Sequence, residues 1–162
     1  MDTIVRSLTP HIHHHLKRGK SILLLGPRQT GKTTLLQDFP AQLSLSFLDA
    51  KLRLRYETNP ELLKKEILPL KKNKNPPLII LDEVQKVPEL MDVAQELIDS
   101  RRAQFIFTGS SARKLKRNDH LNLLPGRVVL LKMDPITIRE WNPAWLEGKL
   151  ESLLFYGSLP GI

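Results

Sequence analysis

The chain has 162 residues, 41% of them apolar, a length that suits a single domain with its own hydrophobic core. It contains no cysteine, which excludes disulfides and thiolate metal sites, and no stretch approaches the roughly 18 consecutive apolar residues that a membrane span needs. A formal net charge of +8 favours anionic partners such as nucleotides or nucleic acid, and with no secretory leader in view a cytoplasmic location is expected.

Thr9 and Pro10 at one end and Gly19 at the other frame a first helix, with Thr9 as its cap and Ile12 and Leu16 facing inward. His11, His13, His14 and His15 crowd this helix. They have no acidic or cysteine partner nearby, so a solvated face is expected rather than a metal site. Ser21–Leu25 is a short apolar run that reads as a buried strand, and it ends at Gly26. Gly26, Pro27, Arg28, Gln29, Thr30, Gly31, Lys32 and Thr33 then fit the phosphate-binding pattern G-x-x-x-x-G-K-[ST], with Thr34 following. The two glycines let the backbone curl so that successive N–H groups face phosphate oxygens. Lys32 can reach the β- and γ-phosphates, and the Thr33 hydroxyl is offered to Mg²⁺. Lys32 to Phe39 reads as the helix that follows, so strand, glycine-rich loop and helix stand in the order this chemistry needs.

Leu45–Asp49 reads as a second strand. Lys51, Arg53 and Arg55 alternate with Leu52 and Leu54 in a way that suits a half-buried edge segment. Asn59 and Pro60 are expected to cap a helix carrying Leu62, Leu63 and Ile67, and Lys71–Pro77 is a polar loop. Leu78–Leu81 is the third strand. Pro88 starts a helix with Leu90, Val93, Ala94, Leu97 and Ile98 at helical spacing. Gln104–Thr108 and Val128–Leu131 are the fourth and fifth strands, and Ile138–Glu147 and Leu150–Tyr156 look helical. Strands that alternate with helices and read as continuous apolar runs predict an α/β fold, with a parallel sheet covered on both faces.

The third strand ends in Asp82 and Glu83, which supply the second half of an active site. Asp82 at the strand end can hold magnesium, directly or through water. Glu83 can orient and deprotonate a water aimed at the γ-phosphate, which favours hydrolysis over transfer to a small acceptor. Ser110, with Thr108 behind it, reads either as a γ-phosphate sensor or as an ordinary Gly-Ser turn. Arg127, on a Pro-Gly turn, is either a phosphate-directed guanidinium acting in its own subunit or a neighbour's, or a surface arginine. Arg113, Lys114, Lys116 and Arg117 form a basic run that reads as a solvated face before a nucleic-acid contact. No guanine-reading Asn/Thr-Lys-x-Asp string is present, which favours ATP.

These residues resemble the AAA-type P-loop ATPases of bacteria and archaea that join an N-terminal ATPase domain to a C-terminal domain of unknown function. The resemblance rests on the loop at 26–34, on Leu81–Pro88, on Phe107–Ser111, on Leu124–Arg127, on Asp134, Pro135 and Glu140, and on Tyr156–Pro160. It implies a three-layer P-loop NTPase with a five-stranded parallel sheet ordered 5-1-4-3-2. It also implies Lys32 and Thr33 as nucleotide and Mg²⁺ contacts, Asp82 as metal ligand, Glu83 as base, and less direct roles for Ser110 and Arg127. Gln85 fits the pattern after the acidic pair without an evident role. The expected organisation is a helical lead-in at 1–20, an ATPase core at 21–133 and a helical extension at 134–162. In the family that extension runs on into a lid and second domain, so a missing C-terminal domain or a neighbouring subunit is an expected partner. The expected function is Mg²⁺-dependent ATP hydrolysis driving conformational change. The alternatives are a nucleotide-gated binding module, with DNA as its possible partner, and a small-molecule kinase.

Overall fold

The fold is that of a computed structural model, which describes residues 4–71, 75–110, 124–137 and 139–140. Five strands, β1 (Ser21–Leu25), β2 (Leu43–Ser46), β3 (Leu78–Asp82), β4 (Gln104–Gly109) and β5 (Val128–Lys132), form one sheet in the order β2-β3-β4-β1-β5. Every pairing is parallel. Counted from the other edge this is the expected 5-1-4-3-2. The helices are α1 (Thr9–Lys17), α2 (Lys32–Leu36), α3 (Ala50–Thr58), α4 (Leu62–Ile67) and α5 (Leu90–Asp99).

The central strands read as unbroken apolar runs because both of their faces are packed. Leu23, Leu25, Ile79, Leu81, Phe105 and Phe107 share one core with Tyr56 of α3, Leu63 of α4 and Leu97 of α5. The alternate residues Ile22, Leu24, Ile80 and Ile106 share a second core with Ile12 of α1 and with Leu35, Leu36, Phe39 and Met133. This division follows the two-residue period of a strand. Each fully buried aliphatic side chain contributes about 1.5–3 kcal/mol, so the two cores fix the strand register.

From β1 the chain crosses to the β2 edge, whereas from β4 it crosses to the β5 edge. The crevice where such connections diverge, beyond the carboxyl ends of the strands, is where ligands bind in open α/β sheets. The segments after β1, β3 and β4 all open there.

Several elements differ from expectation. The charged segment at 51–55 is helix, not an edge strand. Asp49, expected to end β2, instead caps α3: its Oδ1 accepts from the N–H groups of Lys51 at 2.8 Å and Leu52 at 3.3 Å. The Leu52/Leu54 alternation is not a sheet pattern, since Leu54 is 62% exposed. Tyr56 anchors α3 instead. Its ring sits edge-on to Phe47, and its hydroxyl donates to Glu66 Oε2 of α4 at 2.5 Å. α2 is shorter than expected, and Phe39 reaches the core from the turn beyond it. Thr9 lies inside α1 rather than capping it, and α4 starts after Glu61 rather than at Asn59 and Pro60. A single 3₁₀ turn, Val84–Lys86, separates β3 from α5, which begins at Leu90. The helices expected at 138–147 and 150–156 lie outside the described residues.

Candidate functional site

Beyond β1 the loop is held by the main chain on both sides. Gly26 N–H donates to Gly109 O at 3.2 Å, and Met133 N–H donates to Leu25 O at 2.7 Å. A Cβ on Gly26 would lie 2.2 Å from Met133 O. Gly26 is therefore required by the close approach of backbone, not by curling. The positive φ angles belong to Gln29 (64°) and Gly31 (85°). Gly26→Ala is expected to cost about 1–3 kcal/mol through overpacking against main chain that cannot rotate away. Thermal denaturation checks this, and an unchanged midpoint would show that the β1–β5 junction yields freely.

Lys32 is the first residue of α2 and is buried. Its Nζ donates to the carbonyls of Gly26 at 2.8 Å and Pro27 at 2.7 Å, and Thr30 Oγ1 also donates to Pro27 O at 3.0 Å. The loop is thus closed around its own ammonium. Burial lowers the Lys32 pKa, while the charges of Glu83 and Asp82 pull it back up. An incoming phosphate would offer this ammonium stronger acceptors than the two carbonyls.

Asp82 ends β3 beside three hydroxyls. Thr33 Oγ1 donates to its Oδ2 at 3.4 Å, Ser46 Oγ donates to the same oxygen at 3.1 Å, and Thr108 Oγ1 donates to Oδ1. Thr33 and Asp82, both expected to hold metal, are therefore neighbours across 49 residues of sequence. Hard oxygen donors of this kind suit Mg²⁺, which takes few protein ligands and fills its shell with water and phosphate oxygen. Among the described residues no cluster of three or more His, Cys, Asp or Glu forms a self-sufficient metal cage. Ser46 was not identified from sequence. Its signal is its place at the carboxyl end of β2, in register with Asp82.

Glu83 follows in a left-handed backbone conformation, φ 57° and ψ 44°, uncommon for a residue with a side chain. Its N–H donates to Thr108 Oγ1 at 2.9 Å, so one buried threonine fixes both members of the acidic pair. Gln85 Nε2 donates to Glu83 Oε2 and, at 3.3 Å, to Ser110 Oγ. Glu83 and Lys32 line a pocket of about 500 Å³ together with Arg28, Gln29, Gly31, Thr33, Thr34 and Leu48. Leu48, 61% exposed, forms an apolar rim that sequence reasoning did not single out.

Arg6 is another such residue. Its guanidinium is buried and donates to Thr30 O at 2.5 Å, Asp134 O at 2.6 Å and Glu140 Oε1 at 3.2 Å. Glu140 also accepts from the Ser7 N–H at 2.8 Å, the Ser7 hydroxyl at 2.7 Å and the Thr137 N–H at 2.9 Å. Burial would push the Glu140 carboxyl up, but these donors together hold it down to about 2. The segment ahead of α1 is thereby tied both to the loop and to the chain beyond β5.

Arg127 is not brought to this cluster. It precedes β5, whose first residue pairs with Ser21, at the end of the sheet opposite the loop. Five strand residues put it roughly 15 Å away. Its Nε and Nη2 grip Asp99 at 2.6 and 2.9 Å. A role toward phosphate in its own subunit is therefore corrected, because the strand length separates them. His11, His13 and His14 are exposed, and His13 packs on Phe39 with ring centroids 4.7 Å apart. The basic run at 113–117 and residues 72–74 lie outside the described residues. No helix among the described residues is long and apolar enough to cross a membrane.

A family model described as an AAA domain matches residues 18–142. Two uncharacterised proteins, one of Mycobacterium bovis and one of Mycobacterium tuberculosis, are each 30% identical over 152 residues, covering 90% of this chain and 33% of each relative. The chain thus spans about a third of the length of the curated relatives it matches. Among solved structures it resembles the Walker-type ATPase of Pyrococcus abyssi, with a TM-score of 0.56 at 17% identity over 94% of this chain and 59% of that one. It also resembles Drosophila ORC bound to DNA, with a TM-score of 0.53 at 15% identity over 83% of this chain and 93% of that one. At such identities these two likenesses speak for the fold alone. With the family match covering the loop, the acidic strand end and β5, the chain belongs to the AAA family of P-loop ATPase domains.

Proposed function

We propose that this three-layer α/β domain, with residues 21–133 as its core, binds ATP with Mg²⁺ and hydrolyses it. The observation that carries this reading is the meeting of Thr33 and Asp82 at 3.4 Å, with Glu83 beside them in the same pocket as Lys32. Bound between Thr33 and Asp82, a Mg²⁺ ion would supply charge neutralisation on the β- and γ-phosphate oxygens.

The residues divide the remaining work. Lys32 exchanges the carbonyls of Gly26 and Pro27 for phosphate oxygens. Glu83 accepts a proton from water as its oxygen bonds to the γ-phosphorus and the bond to the ADP oxygen breaks, leaving ADP and phosphate. The Arg6 and Glu140 contacts to Thr30, Ser7 and Asp134 offer a route by which loop rearrangement reaches the chain beyond β5. The curated relatives are about three times as long, which supports a further domain as the recipient, and Arg127 could serve phosphate only in a neighbouring subunit.

Titration with ATP, GTP and ADP, with and without Mg²⁺, followed by phosphate release on the same sample, tests the reading. Lys32→Ala should weaken ATP binding by about 1.5–3 kcal/mol, or roughly 10- to 150-fold, the range for a charge-assisted hydrogen bond. Unchanged affinity would remove the phosphate role. Binding without any release would assign the domain to nucleotide-gated binding instead.

A further inference from the structure

Gln85 carries a cost that its position alone does not explain. It sits on the 3₁₀ turn Val84–Lys86, between Val84 and Val87, both fully buried in the core. Its side-chain carbonyl Oε1 is buried and has no hydrogen-bond partner among the described residues. An orphaned acceptor of this kind bears the desolvation penalty of its group with no hydrogen bond to offset it. Turning the amide over would not help, because a carboxylate only accepts hydrogen bonds and Glu83 needs the NH₂ end. That end is fully used: one hydrogen goes to Glu83 Oε2 and the other to Ser110 Oγ.

From this geometry, and resting on the reading of Glu83 as the base, we propose that Gln85 is a positioning residue that yokes the Glu83 carboxylate to the Ser110 hydroxyl. The backbone of Glu83 is already pinned by Thr108 and held in the left-handed region. The carboxylate can still rotate about its own side-chain bonds, and Gln85 removes that freedom. Ser110 Oγ accepts from Gln85 and keeps its O–H to donate to a ligand, so a ligand that draws this hydroxyl also pulls on the shared amide. The direction of the base thereby becomes sensitive to what occupies the space near Ser110.

Gln85→Met tests this, because it keeps the side-chain length and deletes both the two donors and the orphaned carbonyl. Single-turnover phosphate release is expected to slow about 10- to 100-fold, the scale of a small misplacement of a reacting group. Affinity for Mg²⁺·ATP should stay within about twofold, and the melting temperature should change little, since the loss of two donors is offset by the removal of the unpaired carbonyl. Release at a rate within about twofold of wild type would overturn the proposal. So would a melting temperature that falls in step with the rate, which is the mark of a merely structural residue.

A second measurement is independent of turnover. The side-chain ¹⁵N amide resonances of Gln85 should move in Glu83→Gln and in Ser110→Ala, and insensitivity to both would overturn the bridge. The two levels fail separately. If Glu83→Gln is inactive while Gln85→Met is unaffected, only the positioning role falls. If Glu83→Gln turns over normally, or wild type releases no phosphate, the base assignment falls and the positioning role goes with it.

Discussion

Glu83→Gln is expected to bind Mg²⁺·ATP with wild-type affinity and to release phosphate about 10²–10⁴-fold more slowly, the range lost with a general base. The amide is nearly isosteric with the carboxylate. Glu83 is held through its backbone by the Thr108 hydroxyl, and its neighbour Asp82 keeps its contacts to Thr33, Ser46 and Thr108, so the loop and the proposed metal ligands are left in place. What disappears is the capacity to take up a proton. A binding titration paired with single-turnover release separates the two properties. Equal rates for the variant and the wild type would move the base assignment elsewhere, and a joint loss of affinity and rate would mean that the substitution had disturbed Lys32 or Asp82.

Arg6→Met is expected to destabilise the domain by about 3–5 kcal/mol, the cost of removing one partner from a buried ion pair. For a chain of this size that lowers the melting temperature by roughly 6–20 °C. The carbonyls of Thr30 and Asp134 lose the Arg6 donor, and the Glu140 carboxylate loses its cationic partner while keeping its donors from Ser7 and Thr137. Arg6→Lys should rescue little, since an ammonium cannot reproduce the planar fork that reaches three separate oxygens. A shift below about 2 °C, under 1 kcal/mol on the same scale, would reduce the clasp to a surface contact.

The acid side of the stability profile tests the same cluster. Glu140 titrates near 2 when folded, below its ordinary value of 4.5. Because the folded value is depressed, the stabilisation is fully present above pH 4.5 and is lost as pH falls toward 2. The difference in stability between wild type and Glu140→Gln should therefore be on the order of 1–2 kcal/mol near neutral pH, the solvent beside the carboxylate screening part of the effect, and shrink across that window. Urea midpoints measured along the acid limb check this, and a difference that does not change with pH would place the coupling elsewhere.

How much was legible in the sequence depended on how local the cause was. The loop at 26–33 and the pair Asp82-Glu83 are legible because each binds its chemistry to a short spacing. The central strands β1, β3 and β4 are legible because burial on both faces leaves an unbroken apolar run, whereas the edge strand β2, with Ser44 and Ser46 in it, lies at Leu43–Ser46 and not at 45–49. α3 was misread for a related reason. Its charged and apolar residues alternate by accident, and the signal that decides it is one side chain, Asp49, which serves a strand end and a helix cap equally well in one dimension. Gly26 shows the same limit, since the carbonyl that forbids a side chain there comes from Met133.

Sequence by itself determined the phosphate loop, the acidic strand end, the parallel α/β class and the family resemblance, because these depend on residue identity and spacing within short stretches. Tertiary structure alone decided that Thr33 meets Asp82, that Thr108 serves both acids, that Gln85 joins Glu83 to Ser110 and that Arg6 clasps Thr30 and Glu140. It also moved Arg127 to the far end of the sheet. Most of these contacts link residues on different elements brought together by strand order and register. A hydrogen bond needs its partners within about 3 Å, and spacing along the chain carries no record of such a distance once the chain has crossed the sheet.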